Sequence, residues 1–260
     1  MTLDKNTVFG IAIGLLGIGF GSALEGGTPT QILQPAAALI VLGGTLGAVL
    51  IQFPARVLAQ ALAQLKDVVL KRHPMSDSLA QHLLRYAYKA RKEGLLSLDT
   101  ELTKIQDPFL RESLMLAIDG VKPGDLRKMM ELQLEYEGEK NERIPKVFDA
   151  AGGFAPTFGI IGAVLGLIQV MQRLQNMNDV GKGIAVAFVA TIYGVGAANL
   201  FFLPLAGKLR IIIREKQVVQ EMTLEAVLAI VEGVHPRALE QRLNSFGVET
   251  PRPYLKVIGQ

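Results

Sequence analysis

The sequence predicts an all-α integral membrane protein, with four transmembrane helices, a helical cytoplasmic domain and both termini in the cytoplasm. Half of its 260 residues are hydrophobic, only 20% are charged and none is cysteine. This composition excludes a disordered or disulfide-stapled chain and a thiolate-based site. Four stretches contain no acidic, basic or histidine residue, namely residues 6–24, 36–53, 150–172 and 183–207.

Each of these four stretches is long enough to cross a bilayer. A helix rises about 1.5 Å per residue, so even the 18 residues of 36–53 extend about 27 Å, against a hydrocarbon core of about 30 Å. Buried core helices are the alternative, but four of them would need a core larger than the remaining polar residues could cover. We therefore expect spans one and two within residues 1–54, and spans three and four within residues 149–208.

The distribution of lysine and arginine predicts the orientation of the chain. Of the 27 such residues, 25 lie before span one, between spans two and three, or after span four. Positive residues concentrate on the cytoplasmic side of membrane proteins. We therefore expect both termini, a helical domain at residues 55–148 and a helical tail at residues 209–260 in the cytoplasm.

Amphipathic helices are predicted in these cytoplasmic segments. Apolar residues recur at helical spacing from Val57 to Leu70. A second helix is expected to begin near Ser76 and to stop at Gly94. From Asp125 a long helical pattern leads into span three, and span four is expected to continue as a charged helix.

The chain offers no candidate for catalysis, and neither a metal nor a cofactor is expected. Its three histidines are scattered, and no nucleophile, nucleotide-binding or zinc motif is present. No ionisable side chain lies within the spans, so a titrating carboxylate on any ion path must come from another chain. The hydroxyl of Thr191 in span four could line such a path or bond the carbonyl one turn earlier, and spacing alone leaves both open.

Small residues and prolines are the other notable features of the spans. Gly162 and Gly166 stand four positions apart, a spacing that lets two helices pack closely. Pro156 and Pro204 each remove a helical hydrogen bond near the predicted cytoplasmic boundary. A proline passively tolerated in a membrane helix is the alternative, but the position of the pair favours a hinge.

Five segments match the sequence pattern of a known family. The most specific are GIAVAFVATIYGVGAANLFFLPLAGKL at 183–209 and DAAGGFAPTFGIIGAVLGLIQVM at 149–171. Support comes from IVLGGTLGAVLIQFP at 40–54, ARKEGLLSLDTEL at 90–102 and EGVHPRALEQRLNSF at 232–246. Together they resemble the A subunit of the bacterial flagellar motor stator, the MotA and PomA family, over nearly the whole chain.

The resemblance implies a stator subunit in the bacterial inner membrane. In that family a ring of A subunits, expected to be a pentamer, surrounds a dimer of a single-span B subunit whose aspartate carries the ion. Ion flow then moves the A subunits against the rotor protein FliG and generates torque. The resemblance implies no nucleic-acid partner and no cofactor, and it favours the proton over sodium as the transported ion.

The resemblance also implies roles for individual residues of the spans. Pro156 and Pro204 match the two prolines that couple ion binding to cytoplasmic movement, and Thr191 matches the threonine near the ion path. Ala163 stands where sodium-driven members tend to carry threonine, which favours protons. The expected ion-path residues are Thr157, Ala163, Thr191 and Tyr193.

A set of charged residues in the loop between spans two and three is implied as the rotor interface. The set consists of Arg91, Lys92, Asp99 and Glu101. Arg91 matches the family's loop arginine, whereas Asp99 stands where members commonly have glutamate, so its side chain is one methylene shorter. Without the resemblance, a solvated helix face would be the preferred interpretation of these charges.

Three other interpretations remain. An energising subunit of the ExbB or TolQ kind usually has three spans, and the fourth uncharged stretch and the 96-residue loop at 54–149 argue against it. A membrane scaffold without ion conduction would use the same threonines and prolines only as structural residues. An enzyme is the remote third alternative.

Overall fold

The computed structural model describes residues 2–71, 76–172, 174 and 177–247. These residues form two compact units. The membrane unit comprises the described residues of Met1–Arg72 and Asn141–Ile212, and the helical unit comprises those of His73–Lys140 and Ile213–Gln260. The helix that follows span two belongs to the membrane unit.

Within the described residues, four helices are long and apolar enough to cross a membrane, which confirms the predicted all-α fold with four spans. Span one is Lys5–Leu24 and span two is Pro35–Gln52. Span three is the C-terminal half of Pro123–Gln172, a helix of 50 residues. Span four begins in Met177–Ala197 and continues into Leu203–Val231. Both long helices therefore extend from uncharged into charged sequence, as the pattern predicts.

The other helices of the described residues have 4 to 18 residues. The α-helices are Pro29–Ile32, Ala55–Val69, Ser76–Glu93, Asp99–Leu102, Pro108–Ile118 and Pro236–Asn244, and a short 3-10 helix is formed by Leu95–Leu98. The second of the predicted cytoplasmic helices ends directly before Gly94, as expected. Gly94 has a φ of 85°, a conformation that a residue without a Cβ adopts at little cost.

A short ladder joins the start of the chain to the end of the helix that follows span two. Thr2–Leu3 pairs with Leu70–Lys71 in antiparallel orientation. Asp4 then donates its backbone N–H to the carbonyl of Val69 at 2.8 Å. Its side chain caps span one by accepting the N–H of Asn6 at 3.2 Å. Span one is therefore attached at its first residue to another part of the membrane unit.

Spans two and four each contain a π-helical turn, at Leu39–Gly43 and Ala198–Phe202 respectively. The second turn ends just before Pro204, and there the N–H of Leu203 bonds the carbonyl of Ala198, five residues earlier. Proline has no N–H, and its ring crowds the carbonyl four residues before it. The wider turn accommodates both effects, so span four continues past Pro204 into a long helix.

An apolar cluster holds the charged ends of the spans together. It joins the helix Ala55–Val69 to the ends of span two near residue 53, span three near residue 150 and span four near residue 207. Its buried members are Val49, Ala61, Val68, Ile144, Val147, Phe148, Ala151, Ala206 and Leu209. The helix after span two is therefore packed on the membrane unit through its apolar face.

The helical unit has a separate apolar core. Its fully buried large side chains include Leu83, Leu98, Leu114, Leu126, Met130, Met222, Leu228, Leu239 and Leu243. Each such side chain stabilises the fold by roughly 1.5–3 kcal/mol when it leaves water. This core fixes the loop segment that carries the charges predicted as a rotor interface.

Candidate functional site

Spans three and four meet along a seam of small residues, which we define as Ala155, Gly159, Gly162 and Gly166 on span three with Gly183, Ala187, Ala190 and Gly194 on span four. A Cβ added to Gly159 would lie 3.0 Å from the carbonyl oxygen of Ala190. One added to Gly194 would lie 2.5 Å from the carbonyl oxygen of Ala155, closer than real Cβ atoms approach. The two backbones are therefore in direct contact, and the seam has no room for larger side chains.

The sequence indicated only part of this seam. Gly162 and Gly166 follow the expected four-residue spacing, and a Cβ at Gly166 would lie 2.9 Å from the backbone nitrogen of Ala187. Gly159 and Gly194 were not predicted as contact residues. Their signal is present, because Ala155 and Ala190 each stand four positions before one of them, and alanine serves in the same pattern.

Thr191 lies beside the seam and is partly buried. Its hydroxyl donates to the carbonyl of Ala187, one turn earlier, at 3.3 Å, which is long for a hydroxyl hydrogen bond. Its Cα lies 3.4 Å from where a Cβ of Gly159 would be. The hydroxyl oxygen keeps its lone pairs available to accept from a water or to contact an ion.

The other expected path residues do not all lie with Thr191. Thr157 is exposed on span three, and its hydroxyl donates to the carbonyl of Phe154 at 2.6 Å. Ala163 is partly exposed and presents only a methyl group. Tyr193 has a different contact, because its hydroxyl donates to the carbonyl of Ile32 at 2.6 Å. It therefore attaches span four to the connection between spans one and two.

The two expected coupling prolines lie in different surroundings. Pro156 is inside the unbroken helix that forms span three, and its Cα lies 3.1 Å from where a Cβ of Gly194 would be. It is thus part of the contact with span four. Pro204 follows the π-helical turn of span four and is exposed. A further proline, Pro145, lies in the same helix as Pro156 and is buried, and sequence reasoning did not single it out.

Two ion pairs lie at the charged ends of the spans, and the sequence predicted neither. Lys208, four residues after Pro204, binds the buried carboxylate of Asp4 at 2.5 Å. Arg210 pairs with Asp149, at the start of span three. The Lys208 ammonium holds the pKa of Asp4 below its ordinary value, against the opposing effect of burial. Span four is therefore fastened to span one and to span three just after Pro204.

The charges predicted as a rotor interface fall into two groups. Arg91 and Lys92 are exposed in the last turn of Ser76–Glu93, and Asp99 is exposed at the start of Asp99–Leu102, after the short 3-10 helix. Glu101 differs, because only 15% of its side chain is exposed and Lys89 binds it at 2.8 Å. Hydrogen bonds from Lys89 and then Lys104 hold the pKa of Glu101 below its ordinary value.

Glu101 and Lys89 therefore stabilise the segment between residues 89 and 101, which we call the charged corner. The exposed side chains of Arg91, Lys92 and Asp99 belong to the same segment. In the described part of the chain, Arg91, Lys92 and Asp99 form no ion pair with another residue. No group of three or more His, Asp or Glu residues among the described residues could hold a metal ion. The described site is thus a closely packed helix pair in the membrane unit and an exposed charged corner in the helical unit.

Comparisons with known proteins agree with this architecture over most of the chain. A model of the MotA/TolQ/ExbB proton channel family matches residues 101–222, and a model of the motility protein A N-terminal region matches residues 8–94. Motility protein A of Bacillus subtilis (strain 168) is 31% identical over 242 residues, which are 93% of this chain and 90% of that protein. Motility protein A of Helicobacter pylori (strain ATCC 700392 / 26695) is 32% identical over 246 residues, 94% of this chain and 95% of that protein.

A solved structure gives the same result in three dimensions. The structure of C. jejuni MotAB superposes with a TM-score of 0.88 at 29% sequence identity, covering 96% of this chain and 98% of that chain. The four candidate spans are those of a multi-pass membrane protein, and the family match places it among proton channels. The chain belongs to the MotA/TolQ/ExbB proton channel family, within its motility protein A branch.

Proposed function

We propose that this chain is the A subunit of a flagellar stator and that it acts in the bacterial inner membrane with a B-type subunit. The observation that carries the proposal is the similarity over 96% of the chain to the structure of C. jejuni MotAB. In the proposal, a dimer of a single-span B subunit supplies the aspartate that binds the ion, and a pentamer of this chain surrounds it. The absence of any ionisable side chain from the four uncharged stretches supports a carboxylate from another chain.

The proposed ion path runs along the exposed side of the seam, past Thr191. Its hydroxyl donates only a long hydrogen bond to its own helix, so its oxygen can accept from a water that relays a proton. Ala163 adds no oxygen ligand, which supports the proton over sodium. Thr157 is the second exposed hydroxyl of the proposed path, whereas Tyr193 supports the path indirectly by holding the connection between spans one and two.

The proposed transmission of movement follows two helices. Pro123–Gln172 and Leu203–Val231 both carry residues of the membrane unit and of the helical unit. Because the seam joins spans three and four, a displacement at Thr191 would be shared by both helices. Pro156 and Pro204 are the proposed points at which these helices bend.

The proposed rotor contact is the exposed corner with Arg91, Lys92 and Asp99, facing the rotor protein FliG. Exposed ion pairs contribute about 0–1 kcal/mol each, so such contacts can be made and broken repeatedly. Moving one elementary charge through 100 mV provides about 2.3 kcal/mol, which is enough to break two or three of them. With 25 of the 27 lysine and arginine residues on one side, this corner and both termini are proposed to be cytoplasmic.

Swimming speed tests the function and its ion. The measurement uses a strain whose only stator contains this chain and the B subunit encoded with it, with sodium varied at fixed pH. Speed that is independent of sodium and abolished by a protonophore is expected. A speed that rises and saturates with sodium would contradict the proposed ion, and a complex that assembles in the membrane but produces no rotation would contradict the stator function.

A pair of threonine variants tests the proposed path. Thr191→Val removes the hydroxyl at nearly constant volume and is expected to lower torque strongly without loss of assembly. Thr45→Val is the matched control, because that hydroxyl is buried in span two and donates to the carbonyl of Val41 at 2.6 Å. Equal effects of the two variants on torque would show that Thr191 has only a structural role.

A further inference from the structure

The outer face of the helix Ala55–Val69 carries positive charges that the proposed function does not use. The inner face of this helix packs on the membrane unit through Ala61 and Val68. The outer face exposes Arg56 and Lys66, which are ten residues and about 15 Å apart along the helix. Leu62 lies between them and is 67% exposed. This face is therefore an apolar side chain flanked by two cations.

Two further cations lie next to the apolar cluster on which this helix packs. Arg143 and Lys146 are exposed on the helix that leads into span three. Their neighbours Ile144 and Val147 are buried in the cluster on which the helix Ala55–Val69 packs. Lys146 and Arg143 stand four and seven residues before the uncharged stretch at residue 150, about 6 Å and about 10 Å along the helix. A long basic side chain this close to the end of an apolar span can extend to the level of the lipid phosphates.

These four cations have no ionic partner among the described residues. In the ranges that the structure describes, no ion pair involves Arg56, Lys66, Arg143 or Lys146. The neighbouring cations Lys208 and Arg210 are different, because Asp4 and Asp149 bind them. The four cations therefore lie beside the apolar cluster without being bound in an ion pair of the described residues, and their charged groups can bind a partner from outside the chain.

We propose that the basic band, defined as Arg56, Lys66, Arg143 and Lys146, binds the headgroups of anionic phospholipids. Phosphate oxygens accept hydrogen bonds from guanidinium and ammonium groups, and anionic lipid attracts each cation near the surface. Leu62 favours lipid over a soluble polyanion, because an exposed leucine between two cations suits the acyl region below the headgroups. The proposal requires only that the chain spans a membrane and does not depend on the stator function.

Lipid selectivity measured by electron spin resonance tests the proposal directly. The full chain is reconstituted in phosphatidylcholine vesicles that contain spin-labelled phosphatidylglycerol or spin-labelled phosphatidylcholine. We expect the motionally restricted fraction to be about twofold or more higher for phosphatidylglycerol at low salt, since each cation favours anionic lipid. Raising the salt from about 0.05 M to about 0.5 M should reduce this preference, because the charges are exposed.

Two fourfold glutamine variants locate the effect. Replacing all members of the basic band, as R56Q, R143Q, K66Q and K146Q together, should bring the preference close to one. The matched control removes the same charge from exposed positions of the helical unit, as R111Q, R237Q, K122Q and K128Q together, and should keep the preference.

Three results would overturn the proposal. The first is no preference in the unmodified chain, or a preference that salt does not change, and this measurement needs no variant to fold. The second is an equal loss of preference in the two glutamine variants. The third is a basic-band variant that keeps its lipid preference but forms smaller oligomers, which would assign the band to a contact between copies of the chain. A charge-conserving variant, R56K with R143K, should retain the preference.

Discussion

The seam between spans three and four leads to a prediction with a control on the same helix. In Gly194→Ala, the new Cβ would lie 2.5 Å from the carbonyl oxygen of Ala155. An acceptable carbon–oxygen contact is about 3.3 Å, so the two helices must separate by about 0.8 Å. Overpacking of this kind costs about 1–3 kcal/mol, because the opposing atom belongs to the backbone and cannot rotate away.

Gly196→Ala is the control for this change. Apart from its own helix backbone and chain neighbours, no atom of the described residues lies within 4 Å of the position that its Cβ would take. The gain in helix propensity, up to about 1 kcal/mol, is therefore kept. Thermal unfolding of the full chain in detergent, followed by circular dichroism, compares the two variants. A difference of about 2 kcal/mol separates their melting temperatures by about 4–8 °C. Equal melting temperatures, or a more stable Gly194→Ala, would refute the close backbone contact.

Three further predictions concern the charged groups. Asp4→Asn should lower the melting temperature at neutral pH, because the variant loses the ion pair with Lys208. Since Lys208 lowers the pKa of Asp4 in the folded chain, this pair stabilises the fold above the ordinary pKa of 3.8, and the stabilisation disappears as the pH falls through the lower folded pKa. A difference in melting temperature between the unmodified chain and Asp4→Asn that is the same at pH 7 and at pH 3 would contradict this prediction. Glu101→Gln should lower the melting temperature of the chain, because Lys89 loses its charged partner, and the difference should shrink as salt is added. A salt-independent difference would point to packing instead. Arg91→Glu should reduce torque at normal expression, with partial recovery when a charge on the rotor partner is reversed; no recovery by any reversal would exclude an electrostatic contact.

The spans and the long helices could be predicted from the sequence because their signals are local. These signals are the length of an uncharged stretch, the distribution of charges along the chain and helix-ending residues such as Gly94. Each of them is visible in a short segment of sequence. The pair between Asp4 and Lys208 joins residues 204 positions apart, and the bond between Tyr193 and Ile32 joins residues 161 positions apart. No periodicity reports such contacts, because they depend on how the spans are arranged.

The candidate site shows the same limit. The sequence places Thr191 in span four, but it does not show whether the hydroxyl lines an ion path or bonds the carbonyl one turn earlier. In the structure the hydroxyl donates to the carbonyl of Ala187. The family pattern grouped Glu101 with Arg91 as surface charges. In the structure the two residues differ, because Lys89 on the helix Ser76–Glu93 binds Glu101 at 2.8 Å, whereas Arg91 on the same helix is exposed. Charge pattern alone does not distinguish an exposed carboxylate from one that is held within a corner.

The distribution of contacts within the membrane unit suits the proposed mechanism. Span one has no buried residue, whereas spans three and four touch through their backbones. A movement that begins at Thr191 would therefore be carried by the joined pair, while span one can adjust against lipid. Span one contacts span four through Asp4, which binds Lys208, and through Gly14, which packs against the side chain of Leu200 and leaves no room for a Cβ. A single charge crossing 100 mV provides only about 2.3 kcal/mol, and forcing one extra methyl group into the seam already costs about 1–3 kcal/mol. An ion step therefore provides little free energy with which to separate the two helices. We therefore expect the larger bend at Pro204, where the π-helical turn has already released the regular hydrogen-bond pattern, and a smaller one at Pro156, which is part of the contact with span four.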